Sequence, residues 1–332
     1  MTPQPTSVPA NNTNCSETPY KEWIITVVPI YILLITALGI VFNVFVLVVF
    51  WFHKKPCTVA EIYLSNLAAA DLVLVSCLPF WAVNVSNNFR WPFGQFLCKV
   101  VSLGISMNAY CSIYFLVLVS IDRYVALVHA MSFGRMRSSK DAKLGCVMVW
   151  GLGLLLSIPT LIYREVKTEC NTCSISSQNA SVYKLFQGLL TMFIFIIPIS
   201  VISYCTVKII QALNNRLQER SNKRRRERKA TSLVLAVVLA FLICWLPYHL
   251  FGIVDMLENP NQPSVNPAVL GICLQIFTYL AFFNSVLNPI LYVIIGDNFR
   301  KKVKELSTQW SSGVTFSMVS LRSNTSTTTV RR

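Results

Sequence analysis

Residues 24–52 read IITVVPIYILLITALGIVFNVFVLVVFWF, with no charged side chain anywhere in the run. A helix rises 1.5 Å per residue, so a bilayer core of about 30 Å needs about 20 residues. Working outward, runs of comparable length recur near 58–86, 96–128, 144–163, 185–213, 231–257 and 267–295. Strands of an outer-membrane barrel would alternate over about 10 residues, so a barrel is excluded. The chain has 332 residues, 54% hydrophobic and only 13% charged, about half the charge of an ordinary soluble domain. Eleven Cys are too dilute for a disulfide scaffold. The expected fold is an all-α membrane protein, a seven-transmembrane helix bundle. Residues 1–22 are polar and show no apolar signal-peptide region, so the first run is expected to serve as its own insertion signal.

Lysine and arginine set the orientation. The segments after runs one, three and five and the tail after run seven, with Arg123, hold 23 of the 29. Lys21, Arg90, Lys99, Arg164, Lys167 and Lys184 are the other 6. The positive-inside rule then puts the N-terminus outside and the C-terminus in the cytoplasm. The net charge of +15 becomes a belt facing anionic lipid, and nucleic acid is not an expected partner. The division is 1–23 outer segment, 24–295 bundle, 296–310 amphipathic interfacial helix and 311–332 disordered cytoplasmic tail. Phe299, Val303 and Leu306 share one face of that short helix, with Arg300, Lys301 and Lys304 beside them. Of the sequons, Asn11, Asn14 and Asn179 fall outside and are expected to be glycosylated. Asn84, at a helix end, and Asn324, in the tail, are not.

An ionisable group inside a spanning helix is a functional candidate by default. One stands near mid-membrane, Asp71. Asn43, Ser112, Asn284, Ser285 and Asn288 lie at similar depths, and they are oxygen donors of the kind a small hard cation takes. A purely structural hydrogen-bonding Asp is the alternative. Asp122-Arg123-Tyr124 ends run three, and Glu227 offers the arginine a second carboxylate, so the pair can act as a bistable latch. Pro198, Pro247 and Pro289 each remove a helical bond, which neighbours must make good.

Taken in order and spacing over 24–306, several motifs resemble a rhodopsin-like G-protein-coupled receptor. They are Asn43, Leu67–Asp71, Asp122-Arg123-Tyr124, Trp150, Pro198, Cys244-Trp245-Leu246-Pro247 and Asn288-Pro289-Ile290-Leu291-Tyr292. Cys57–Leu64, Leu78–Trp81, Ser86–Phe89, Ile105–Asn108 and Gly134–Arg137 resemble the bradykinin receptors, the type-2 receptor more than the type-1. An angiotensin-like peptide receptor is the nearest alternative.

The resemblance implies a plasma-membrane receptor with a kinin-type peptide outside and a Gq-class heterotrimeric G protein inside. Trp245, Pro247, Pro289 and Tyr292 would move in activation. Asp71, Ser112, Asn284, Ser285 and Asn288 would hold a sodium ion, the one cofactor expected. Arg123 would leave Asp122 and Glu227 to meet the G protein, and Met131 would contact it as well. Thirteen Ser and Thr in 307–329 would take phosphates from receptor kinases and recruit arrestin. A disulfide Cys98–Cys173 is implied, and Cys15 is expected to pair with Cys170, with Cys273 as the rival partner.

For the peptide, the resemblance implies a site lined by Trp81, Ser106, Asn108, Tyr110, Tyr248, Asp255, Gln275 and Phe282, with Glu258 near its mouth. Asp255 resembles a partner for a kinin arginine. At Ser106 the type-1 receptor has a Lys that disfavours a peptide ending in Arg. Three departures stand out. Thr206 replaces a frequent Tyr, which leaves Tyr292 without its usual active-state partner. Ala130 replaces a Pro. The tail has no Cys, so it cannot be palmitoylated.

Other classes fail on the residues. No G-x-S-x-G or H-E-x-x-H occurs, and His53, His129 and His249 are far apart, so no enzyme is expected. Residues 267–295 contain no Lys for a retinal Schiff base. A transporter would show repeats and several mid-membrane charges, and neither is found here. A scavenger receptor that binds peptide without signalling is disfavoured by the intact Asp122-Arg123-Tyr124.

Overall fold

The computed structural model describes residues 22–53, 56–128, 138–167, 169–176, 182, 188–189, 191–215, 222–258 and 265–309. Among the described residues, seven helices are long and apolar enough to cross a membrane. They are α1 (Glu22–Phe52), α2 (Val59–Ser86), α3 (Gly94–Val128), α4 (Ser139–Tyr163), α5 (Ile197–Asn215), α6 (Asn222–Leu257) and α7 (Pro267–Ile295). A π-helical turn, Met192–Ile196, leads into α5. A short helix α8 spans 297–309, close to the expected 296–310. The expected starts of α4 and α6 fall too late in the sequence, because both helices begin in charged segments that hydropathy alone leaves out.

The expectation of an all-α chain needs one addition. Strand β1 (Arg164–Lys167) pairs antiparallel with β2 (Thr172–Ile175), with Val166 opposite Cys173. Asn171, at φ 50°, turns the chain between them, a conformation that asparagine tolerates. Cys173 is bonded to Cys98 at the start of α3, as expected. Gln95 adds a second clamp. Its Oε1 accepts from Val166 N at 2.7 Å, and its Nε2 donates to Arg164 O at 3.2 Å. Trp91, 3% exposed, receives the hairpin turn through Trp91 N to Asn171 O at 2.6 Å. The hairpin thus sits on one end of the bundle and α8 on the other.

Cys170 also lies in a disulfide, and Cys273 is a free thiol. The rival pairing with Cys273 is therefore ruled out, while Cys15 lies outside the described residues. Non-reducing peptide mapping should recover one fragment that joins the Cys170 peptide to the Cys15 peptide. A Cys170 peptide that runs alone without reductant would contradict the pairing.

Large apolar side chains point outward along the spans: Ile30, Val41, Leu144, Val147, Leu155 and Ile243 are all about 60% or more exposed. In water this would be an aggregation-prone surface; here it is the lipid face. The interior is joined by polar side chains, as membrane bundles commonly are. Trp150 Nε1 on α4 donates to Asn66 Oδ1 on α2 at 3.0 Å. Gly39 lets α1 approach α2, since a Cβ there would lie 2.6 Å from Val75 Cγ1.

The proline sites show how lost bonds are replaced. Pro289 cannot donate to Ser285 O, and Asn43 Nδ2 of α1 donates to that carbonyl at 2.9 Å. In the π turn, Ile197 N bonds Met192 O, so the next carbonyl, Phe193 O, faces Pro198 and its missing N–H. The hydroxyl of Tyr114 on α3 donates to Phe193 O at 2.9 Å instead.

Candidate functional site

The middle of the bundle is built around Asp71, which is fully buried. Asn288 Nδ2 of α7 donates to its Oδ2 at 2.9 Å. Asn108 Nδ2 of α3 donates to its Oδ1 at 3.1 Å and contacts Ser112 Oγ at 3.2 Å. A buried carboxylate must be neutralised or well solvated by donors. Among the described residues no Lys or Arg reaches it. Ser112, Asn284, Ser285 and Asn288 are all 3% exposed or less. Asn43, Asn284 and Asn288 each keep a buried side-chain carbonyl oxygen with no hydrogen-bond partner. Buried oxygen acceptors of this kind, with a carboxylate, are the donor types a small hard cation takes.

The structure joins Asp71 directly to Asn288 on α7 and, through Asn108, to Ser112 on α3, while Asn284 and Ser285 are buried on α7. It also adds Asn108, which the resemblance assigns to the peptide site. The signal was present in the sequence, since Asn108 lies four residues before Ser112 and shares its helix face.

Toward the hairpin end lies an aromatic floor. Trp245, 7% exposed, stacks on Phe241 and meets Tyr248 edge-on, with centroids 5.8 and 6.1 Å away. His249 stacks on Phe195 of the π turn at 4.3 Å and lies 6.1 Å from Trp245. This Phe195–His249–Trp245 stack joins α5 to α6, and the sequence reading did not single it out. Long-range ring contacts leave no periodic signal.

The expected peptide-site residues are spread over this half. Trp81, Ser106, Tyr248, Asp255, Glu258 and Gln275 are half-buried, and Asn108, Tyr110 and Phe282 are buried. Ser106 Oγ is 3.3 Å from Thr160 Oγ1 on α4. Gln275 lines a cavity of about 290 Å³ between α1 and α7, together with Val28, Tyr31 and Tyr279. The indole N–H of Trp81 and the Gln275 Oε1 are buried without partners, so each has hydrogen-bonding capacity left for a ligand.

At the α8 end, Arg123 pairs with Asp122 at 2.9 Å. Tyr292 is 1% exposed, its hydroxyl without a hydrogen-bond partner, and it packs on Phe299. The Glu227 side chain, Met131, Asn11, Asn14 and Asn179 lie outside the described residues. Asn84 is 3% exposed.

The chain is similar to known proteins. Residues 42–292 fit the model of the 7 transmembrane receptor (rhodopsin family). The human B2 bradykinin receptor is 44% identical over 300 residues, covering 88% of this chain and 77% of its own length. The chain belongs to the bradykinin receptor family. The guinea-pig (Cavia porcellus) B2 bradykinin receptor is 43% identical over 304 residues, which is 90% of this chain and 82% of that protein. The Macaca mulatta B1 bradykinin receptor is 38% identical over 312 residues, 91% and 88% of the two chains. A bradykinin receptor family member is a multi-pass membrane receptor and not an enzyme. The transporter and opsin readings end with this membership.

Proposed function

We propose that this chain is a plasma-membrane receptor, N-terminus outside, for kinin-type peptides that keep their C-terminal arginine. It signals through a Gq-class G protein to calcium. The observation that carries the subtype is the higher identity to B2 relatives, 44% against 38% for the B1 relative, together with the uncharged Ser106. The peptide enters at the hairpin end, over Tyr248 and Trp245, and Asp255 and Glu258 supply the negative charge that its basic ends require. Asp122 holds Arg123 in the resting state. Phosphates on the tail then recruit arrestin.

Cells expressing the chain should release calcium on addition of kinins and not on addition of angiotensins. A response to angiotensins alone would overturn the ligand class.

Asp71, Ser112, Asn284, Ser285 and Asn288 would hold sodium, with Asn108 and Asn288 orienting the carboxylate. A bound cation supplies the positive charge that the bundle lacks beside Asp71. Sodium that favours the resting packing must lower agonist affinity, by linkage. Agonist affinity should therefore fall about 5-fold or more as sodium replaces a larger cation at constant ionic strength. Asp71→Asn should flatten that dependence. Agonist binding that ignores sodium in the unaltered chain would contradict the assignment.

A further inference from the structure

The α8 end contains a contact that the resting pair Asp122–Arg123 does not use. Lys229 Nζ on α6 lies 2.6 Å from Asp297 Oδ2, at the first turn of α8. One helical turn further along α6, Leu233 reaches the chain corner between α7 and α8. A Cβ added at Gly296 would lie 3.4 Å from Leu233 Cδ2. Residues 229 and 233 lie four apart and share one face of α6. That face is therefore seated on the corner by one ion pair and one apolar contact.

The corner itself is cross-braced. Asp297 also pairs with Arg300, whose other guanidinium nitrogen donates to Ile294 O at the end of α7 at 3.0 Å. Lys229, then Arg300, hold the Asp297 carboxyl below the usual carboxylate range. Downstream, α8 is fastened to the opposite side of the bundle. Lys302 Nζ meets Glu61 Oε2 of α2 at 2.9 Å, and His53 Nε2 at the end of α1 lies 2.9 Å from Glu305 Oε2. Phe299, 4% exposed, packs between Phe45 and Phe50 of α1. Asp297 is thus presented on a support braced to α1, α2 and α7, and α6 holds it through a half-exposed ion pair.

We infer that Lys229 and Asp297 form a second resting-state latch, which holds the α6 end against the α7–α8 corner and must open for the receptor's partner to enter between them. This rests on the signalling role proposed above. The pair is half-exposed, so it biases the equilibrium and does not fix it. An ion pair of this kind shifts an equilibrium by about 1.5- to 5-fold. The Asp122–Arg123 pair lies on α3 and shares no residue with this one, so the two effects should multiply.

The test uses the full chain in lipid nanodiscs without ligand or partner. Spin labels on non-cysteine encoded side chains at Lys140 of α4 and Ser232 of α6 report the position of the α6 end. Asp297→Asn and Lys229→Gln should each raise the population with the longer distance by about 1.5- to 5-fold, and the double variant should match either single one. The exchanged pair, Lys229→Asp with Asp297→Lys, should return the population toward that of the unaltered chain. Basal nucleotide exchange on an added G protein should follow the same order. Equal distance distributions in all variants would overturn the latch. An opened α6 without any change in exchange on any G protein would leave the latch standing and count against the signalling role.

Discussion

Replacing Ser106 with lysine should shift the receptor's preference away from the kinin that ends in arginine by about 5- to 150-fold, relative to the kinin lacking that residue. Ser106 is half-buried on α3, two residues before Asn108, and its hydroxyl lies 3.3 Å from that of Thr160. A serine there presents a neutral group to whatever fills the pocket. An ammonium at the same position would face the arginine's guanidinium across a partly desolvated space, where like charges a few ångströms apart repel far more than in water. The effect should appear in the ratio of the two affinities, measured by competition on membranes. Asp71 lies deeper in the bundle and should retain its sodium dependence in this variant. A ratio that does not move with Ser106→Lys would remove the mechanism.

The second large effect concerns stability. Lys302→Met should lower the stability of the receptor by about 3 kcal/mol, because removing one member of a buried ion pair strands the other. Glu61 and Lys302 are only 10% and 11% exposed at their side chains, and the Lys302 ammonium also lies 5.6 Å from the Phe50 ring. Glu61 has a second task. It accepts from Thr58 N at 2.7 Å, while Thr58 Oγ1 accepts from Glu61 N, so the same carboxylate caps the start of α2 and fastens α8. In Lys302→Met the capping bond remains but the charge has lost its counter-ion. The double variant Glu61→Leu with Lys302→Met should recover most of the loss and leave about 1 kcal/mol, the contribution of the cap. Thermal unfolding in detergent, followed for Lys302→Met, Glu61→Leu and the double variant, measures this cycle. Additive losses in the double variant would show that the two residues act independently.

The spans were legible in the sequence because a bilayer imposes length and polarity on every helix. Residues 24–52 and 267–295 agree with α1 and α7 within two residues at either end. The first residues of α4 and α6 were not legible. Ser139–Lys143 and Asn222–Lys229 are polar, and their helices continue past the apolar core. The β-hairpin was hidden for a different reason: four-residue strands carry almost no periodic signal, and this one is held by Cys98 and Gln95, which are far away in the chain.

At the site, depth along a helix was readable and partnership was not. Asp71, Ser112 and Asn288 could be grouped by depth, yet that Asn108 donates to Asp71 follows from the rotation of α3 about its own axis. Likewise, Asn43 stood out as a polar residue in an apolar run. Its work on the carbonyl that Pro289 leaves free depends on how α1 and α7 pack. The Lys302–Glu61 and Lys229–Asp297 pairs join residues 241 and 68 positions apart, and a basic interfacial helix gives no hint of which lysine will be buried.

On the function proposed here, the pocket takes a kinin with its C-terminal arginine in place. Competition binding of the two kinins, with and without that arginine, on membranes carrying the unaltered chain tests it most directly. The arginine-bearing peptide should bind more tightly, by about 5-fold or more. Equal affinities, or tighter binding of the peptide lacking arginine, would contradict it.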